Sequence, residues 1–175
     1  MTPITITDSD TETYNVEDNH VAHLAGVFDA IGNIRLQVQK RSSYRLGYMI
    51  RPVLRLERPQ ESDPLLGKLA AYSDEYNVRY SFTERSGSSI KWTVTDTESV
   101  RNFLEPMMEY LVSKHTQANL MLRQALPAIE QEKHKTKEGF VELMGIADKM
   151  RLETPTRGSV KYTQEYFKDK WSLSE

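Results

Sequence analysis

Between residues 33 and 58 the chain carries Arg35, Lys40, Arg41, Arg45, Arg51, Arg55 and Arg58 against Glu57 alone, a local net charge of +6. Cations concentrated on one element are the electrostatic footprint of phosphate binding; the plainer reading is a solvated basic face. The whole-chain charge of −2 hides this segment, because residues 1–20 hold Asp8, Asp10, Glu12, Glu17 and Asp18 with no Lys or Arg. The remaining 155 residues contain 20 acids and 23 bases. Other chemistries find little support. Cysteine is absent, so disulfides, thiolate metal sites and thiol nucleophiles are excluded. His20, His23, His115 and His134 lack zinc-site spacing; His20 and His23 lie one turn apart, but no further ligand follows. There is no glycine-rich phosphate loop and no serine-nucleophile elbow. Trp92 and Trp171 are expected in the core and at a docking surface rather than as base-stacking platforms.

The elements that must position these cations can be read from periodicity. The acidic residues 1–17 are expected to form a loosely attached tail, and residues 18–175 a single domain. A helix capped by Asp18 or Asn19 carries Val21, Leu24 and Phe28 at helical spacing, and Gly32 is expected to end it in a left-handed conformation. Residues 33–41 alternate, with Ile34, Leu36 and Val38 on one face and Asn33, Arg35, Gln37, Gln39 and Arg41 on the other. After a turn over 42–47, a second strand spans 48–58 with Arg51 and Arg55 on one face, and Pro52 marks an edge or a bulge. A helix over 64–72 is capped by Asp63, and a second hairpin pairs 78–83 with 90–94. Helices follow over 97–110 (capped by Asp96), 114–129, 140–150 and 163–170, with a charged linker at 130–138 and a loop around Pro155. The pattern is α+β, with an antiparallel sheet apolar on one face and polar on the other. No apolar run approaches the roughly 20 residues of a membrane helix, and the N-terminus lacks a signal-peptide core, so the cytoplasm or nucleoid is the expected location.

Leu24-Ala25-Gly26-Val27-Phe28-Asp29-Ala30-Ile31-Gly32 resembles the LAGLIDADG motif at six of nine positions. The order of elements is similar to the αββαββα arrangement, followed by C-terminal helices, of the LAGLIDADG homing-endonuclease fold. Lys114-His115-Thr116-Gln117-Ala118-Asn119-Leu120 resembles the Lys-x-x-Gln-Ala-Asn-Leu stretch of the single-motif, homodimeric members, and Asn102-Phe103-Leu104 resembles their corresponding helix. The resemblance covers about residues 19–170. It implies a homodimer on double-stranded DNA, with the motif helices at the two-fold axis and Leu24, Ala25, Gly26 and Phe28 at the dimer interface. Ala25 and Gly26 would allow close helix approach, or simply pack on the chain's own sheet.

Strand alternation turns Asn33, Arg35, Gln37, Gln39, Arg41, Arg51 and Arg55 of the first hairpin, and Arg79, Ser81, Lys91 and Thr93 of the second, toward the DNA that the resemblance implies, and Arg58 is expected to contact it as well. Arg157 resembles a basic phosphate-touching loop. Arg reads guanine, and Gln or Asn reads adenine, with two hydrogen bonds. Lys114 matches a lysine near the scissile phosphate. Arg58 stands where relatives carry a glutamine of the solvent network, and Ser62 where they carry an arginine. The decisive departure is Ile31, at the motif position where the nucleases carry a metal-binding acid. Without that carboxylate no metal and no cofactor is expected, and cleavage is expected to be lost; Mg²⁺ would be the cofactor if activity survived. An acid relocated to Asp29 or Glu57 would keep an active endonuclease. The same fold could also serve as a splicing cofactor holding RNA, or as an interaction protein without nucleic acid.

Overall fold

The computed structural model describes residues 16–59, 64–85, 89–153 and 160–173. Arg157, Ser62, Asp63 and most of the acidic tail lie outside them. The elements follow in the order α1 (Val16–Ile31), β1 (Asn33–Lys40), β2 (Tyr48–Pro59), α2 (Pro64–Glu75), β3 (Ser81–Arg85), β4 (Ser89–Val94), α3 (Thr97–Leu104), α4 (His115–Leu120), α5 (Leu126–Glu130), α6 (Lys137–Leu152) and α7 (Gln164–Trp171). A π-helical turn, Met121–Ala125, joins α4 to α5, so the helix expected over 114–129 is present with a wide turn in its middle. Helix α3 stops at Leu104, short of the expected Tyr110, because Pro106 lacks the N–H that a further turn would need. Asp96 caps α3 as expected, accepting the Ser99 N–H at 2.9 Å.

The four strands form one antiparallel sheet in the order β1-β2-β4-β3. Strand β2 pairs with β1 over Tyr48 to Arg55 and with β4 over Leu54 to Pro59. Pro52 therefore sits where β2 has no second neighbour among the described residues, which tolerates its missing donor. Ile34, Leu36, Ile50, Leu54, Leu56, Trp92 and Val94 form the buried face beneath the helices. Leu24, Ala25 and Phe28 of α1 complete that core, with the Phe28 ring edge-on to Phe103 at 5.1 Å. At the turn end of the first hairpin, Tyr48 packs against Phe167 (4.9 Å), Tyr162 (5.5 Å) and Trp171 (6.3 Å), which docks α7 on β2.

Gly32 ends α1, but not by the left-handed conformation expected; among the described glycines only Gly47, in the hairpin turn, has positive φ (74°). The constraint at Gly32 is space: a Cβ there would lie 2.5 Å from the Phe28 carbonyl oxygen and 2.5 Å from its ring. Gly32→Ala is therefore expected to destabilise by about 1–3 kcal/mol, the usual cost of overpacking, read as a lower urea midpoint at unchanged slope.

Candidate nucleic-acid interface and motif site

Strand register builds the polar face row by row. Asn33, Arg55, Thr93 and Ser81 are successive partners across all four strands. Arg35 lies opposite Val53, and Gln37 opposite Arg51. Lys91 is flanked by Glu57 and Thr83. Arg51 donates Nε and Nη2 to the Gln37 Oε1 at 3.1 and 3.0 Å, which fixes both side chains. Val53, an apolar residue among these cations, is only 1% exposed. It stands between Arg51 and Arg55 on β2 and opposite Arg35 on β1, where long arginine stems can cover apolar surface. Asn33 Oδ1, Arg35 Nε, Arg55 Nε and Thr93 Oγ1 are buried without a hydrogen-bond partner. Unpaired buried polar atoms cost stability, and these four stand together on the polar side of the sheet. Burial first, then the like charges of Arg55 and Arg51, hold the Arg35 guanidinium below its ordinary proton affinity.

Strand parity corrects two expectations. Arg58 shares parity with Leu54 and Leu56 and pairs with Ile90. It therefore faces the helices, where it lines a groove of about 680 Å³ with Gly26, Ala30 and Ile31 of α1 and Lys68 of α2. Arg79 precedes β3, and its Nη2 bridges Asp96 (2.9 Å) and Glu98 (3.1 Å) at the start of α3. Arg41 lies in the exposed hairpin turn, its N–H donating to the Gly47 carbonyl at 2.9 Å. Gln39 and Lys91 keep their polar-face positions. Glu57, whose direction the sequence leaves open, points to the polar face opposite Lys91 and accepts a hydrogen bond from Ser89 Oγ at 3.0 Å.

The exposed side of α1 differs from the expected interface. Leu24, Ala25 and Phe28 are 1%, 0% and 0% exposed within the chain itself, because the large apolar stripe of the helix fills the core. Only Gly26 of the four faces outward: a Cβ there would meet nothing within 4 Å. With it on the open side stand His23, Ala30 and Ile31, the last 39% exposed.

Asp29 is committed elsewhere. Its Oδ2 accepts the N–H groups of Val112 (2.8 Å) and Ser113 (2.9 Å), and its Oδ1 accepts that of Lys114 (2.8 Å). Burial alone would raise its pKa, but these donors outweigh it and hold the carboxyl below the ordinary 3.8. Lys114 Nζ donates to the Asp29 carbonyl, placing a cation at the C-terminal end of α1 where the helix dipole favours one. Burial pulls the Lys114 pKa down, and the nearby Asp29 partly restores it. The residues present do not suit a divalent ion. Ile31 offers no oxygen, and both Asp29 oxygens already accept N–H groups. Asp29→Ala is expected to cost about 1–3 kcal/mol by releasing three N–H groups. Because the folded pKa is depressed, this contribution is complete well above the ordinary 3.8 and fades as pH falls through the lowered value. Urea titrations of parent and variant should thus converge as pH falls below 3.8.

A helix, two hairpins in one sheet and a helical C-terminal layer, with a basic polar face opposite the core, define an α+β class built on one antiparallel sheet. The sequence profile of the LAGLIDADG endonucleases matches residues 24–125, and the chain belongs to that family. The DNA endonuclease I-CreI of Chlamydomonas reinhardtii is 27% identical over 166 residues, 93% of this chain and 94% of that protein. The homing endonuclease I-CvuI, solved with its target in the presence of Ca, superposes with a TM-score of 0.76 at 25% identity, over 89% of this chain and 94% of that one. The archaeal intron-encoded homing endonuclease I-Vdi141I, complexed with DNA, superposes at 0.71 and 19% identity over 90% and 99% of the two chains, a likeness of fold.

Proposed function

We propose that this chain is a sequence-reading, duplex-DNA-binding homodimer that has lost the cleavage its family is named for. The observation that carries the reading is the polar sheet face, where Arg35, Arg51 and Arg55 stand with Gln37 and Asn33 on paired strands and no acid shares their rows. A two-stranded ribbon fits the major groove, about 12 Å wide, and this face holds both charge for phosphates and amides for base edges. The open groove along α1, floored by Gly26 and Ala30, supports a second copy of the chain as its occupant, which would align two such faces end to end. Ile31 at the family's metal-binding position, with Asp29 tied to the loop before α4, supports the loss of cutting.

The test is selection of bound duplexes from a randomised pool, followed by incubation of the recovered sites with Mg²⁺. A pseudo-palindromic site that stays intact is the expected result. Cutting of that site would restore the endonuclease reading, and a pool that yields no duplex would end the DNA-binding one. Binding should also weaken steeply with salt, since each phosphate contact releases counterions.

A further inference from the structure

We propose that the middle of the β1–β2 hairpin is a guanine-reading site, in which Arg35, Arg51 and Arg55, together with the Gln37 amide, offer hydrogen-bond donors only. This rests on the duplex-binding reading above and adds which bases the face selects. Gln37 would ordinarily offer both an acceptor and a donor, the pair adenine needs. Here its Oε1 already accepts two N–H groups from Arg51 at 3.1 and 3.0 Å, which fills both lone pairs. What remains outward is the Gln37 NH₂ and the unused N–H groups of Arg51. Arg35 and Arg55 carry no acceptor at all. The two acceptors at the inner edge, Asn33 Oδ1 and Thr93 Oγ1, are buried and closed to a groove ligand. The accessible chemistry between Asn33 and Gln39 is therefore a field of donors. Of the four bases, guanine alone shows two acceptors, N7 and O6, side by side in the major groove.

Phosphates are also acceptors, so geometry must separate the two ligands. Arg51 and Arg55 flank the buried Val53 on β2, Arg35 stands opposite it on β1, and Arg51 is tied to Gln37, so the three arginines occupy the centre of the ribbon. The cations free to follow a backbone are Lys40, Arg41 and Arg45, all exposed at the hairpin tip. Arg51 and Arg55 lie four residues apart on one strand, roughly 13 Å, the length of about four base-pair steps. The site thus covers a run of about five base pairs in each half-site.

The experiment uses the intact protein and the duplex recovered by selection. Guanines should dominate one strand at the positions this hairpin covers. Replacing them singly with 7-deazaguanine, which removes N7 alone, should weaken binding roughly 10-fold or more at each contacted position. The Arg35→Gln and Arg55→Gln variants exchange a donor-only fork for an acceptor–donor pair, the one adenine needs. Their selected sites should lose the guanine preference at the contacted positions. A consensus of A·T pairs there with the parent, indifference to 7-deazaguanine, or an unchanged consensus in the glutamine variants overturns the guanine site and leaves duplex binding standing. A pool yielding no duplex overturns both.

Discussion

Ile31→Asp is expected to nick or cleave its selected duplex when Mg²⁺ is supplied, where the parent is expected to leave that duplex intact. Ile31 is 39% exposed on the open side of α1, so the substitution removes no core packing. It instead sets a carboxylate at the C-terminal end of a 16-residue helix, where the dipole is unfavourable to negative charge by about 0.3–1 kcal/mol. The variant alone should therefore melt slightly below the parent. A divalent cation reverses that sign, because it neutralises the new carboxylate at the helix end. Ca²⁺ or Mg²⁺ should raise the melting temperature of the variant and leave that of the parent unmoved, a readout independent of catalysis. Cutting, scored on a gel with the selected duplex, is the larger effect, since metal-assisted phosphodiester hydrolysis is faster than the unassisted reaction by many orders of magnitude. A parent that cuts as fast as the variant would refute the reading of Ile31. A variant that gains the thermal shift without cutting would place further losses elsewhere in the site, with Arg58 and Ser62 the first positions to restore.

How much of this is legible without coordinates depends on whether a feature is local. Alternation of Ile34, Leu36 and Val38 with Asn33, Arg35 and Gln37 suffices to orient β1, because burial with period two is a property of the strand alone. The same rule carried along β2 puts Val53 and Glu57 with Arg51 and Arg55, and puts Arg58 with Leu54 and Leu56. Parity therefore separates Arg58 from the DNA contacts among which it is expected. Pro106 announces the end of α3 in the same local way. The motif helix is half legible. Its large residues Leu24 and Phe28 mark the face turned to the core, but a motif defined by letters does not say that Ala25 joins them while Gly26 and Ala30 face out. Least legible is Asp29, whose partners lie 83 to 85 residues further along the chain. Likewise, the donor-only character of the hairpin appears only once register sets Gln37 opposite Arg51.

Gly26→Leu is expected to abolish self-association and to weaken duplex binding by at least 100-fold, while leaving the single chain as stable as the parent or more so. The two signs follow from one position. Gly26 lies inside α1, where glycine costs about 1 kcal/mol relative to a good helix former, and a side chain added there meets open space within its own chain. Unfolding of the isolated chain should therefore shift, if at all, toward greater stability. A second copy seated in the groove would feel the opposite. Helices pack at 8–10 Å between axes only when the residues at the contact allow it, and near a two-fold axis the added leucines of both copies crowd each other. Loss of the dimer separates the two sheet faces, and with them the gain of binding two half-sites in one molecule, a factor of roughly 10² to 10⁴. Sedimentation velocity reads the assembly, chemical denaturation the fold, and fluorescence anisotropy the affinity for the selected duplex. A variant that remains dimeric and binds normally would remove α1 from the interface. One that loses stability along with binding would show that Gly26 serves the chain's own fold, contrary to the open space around it.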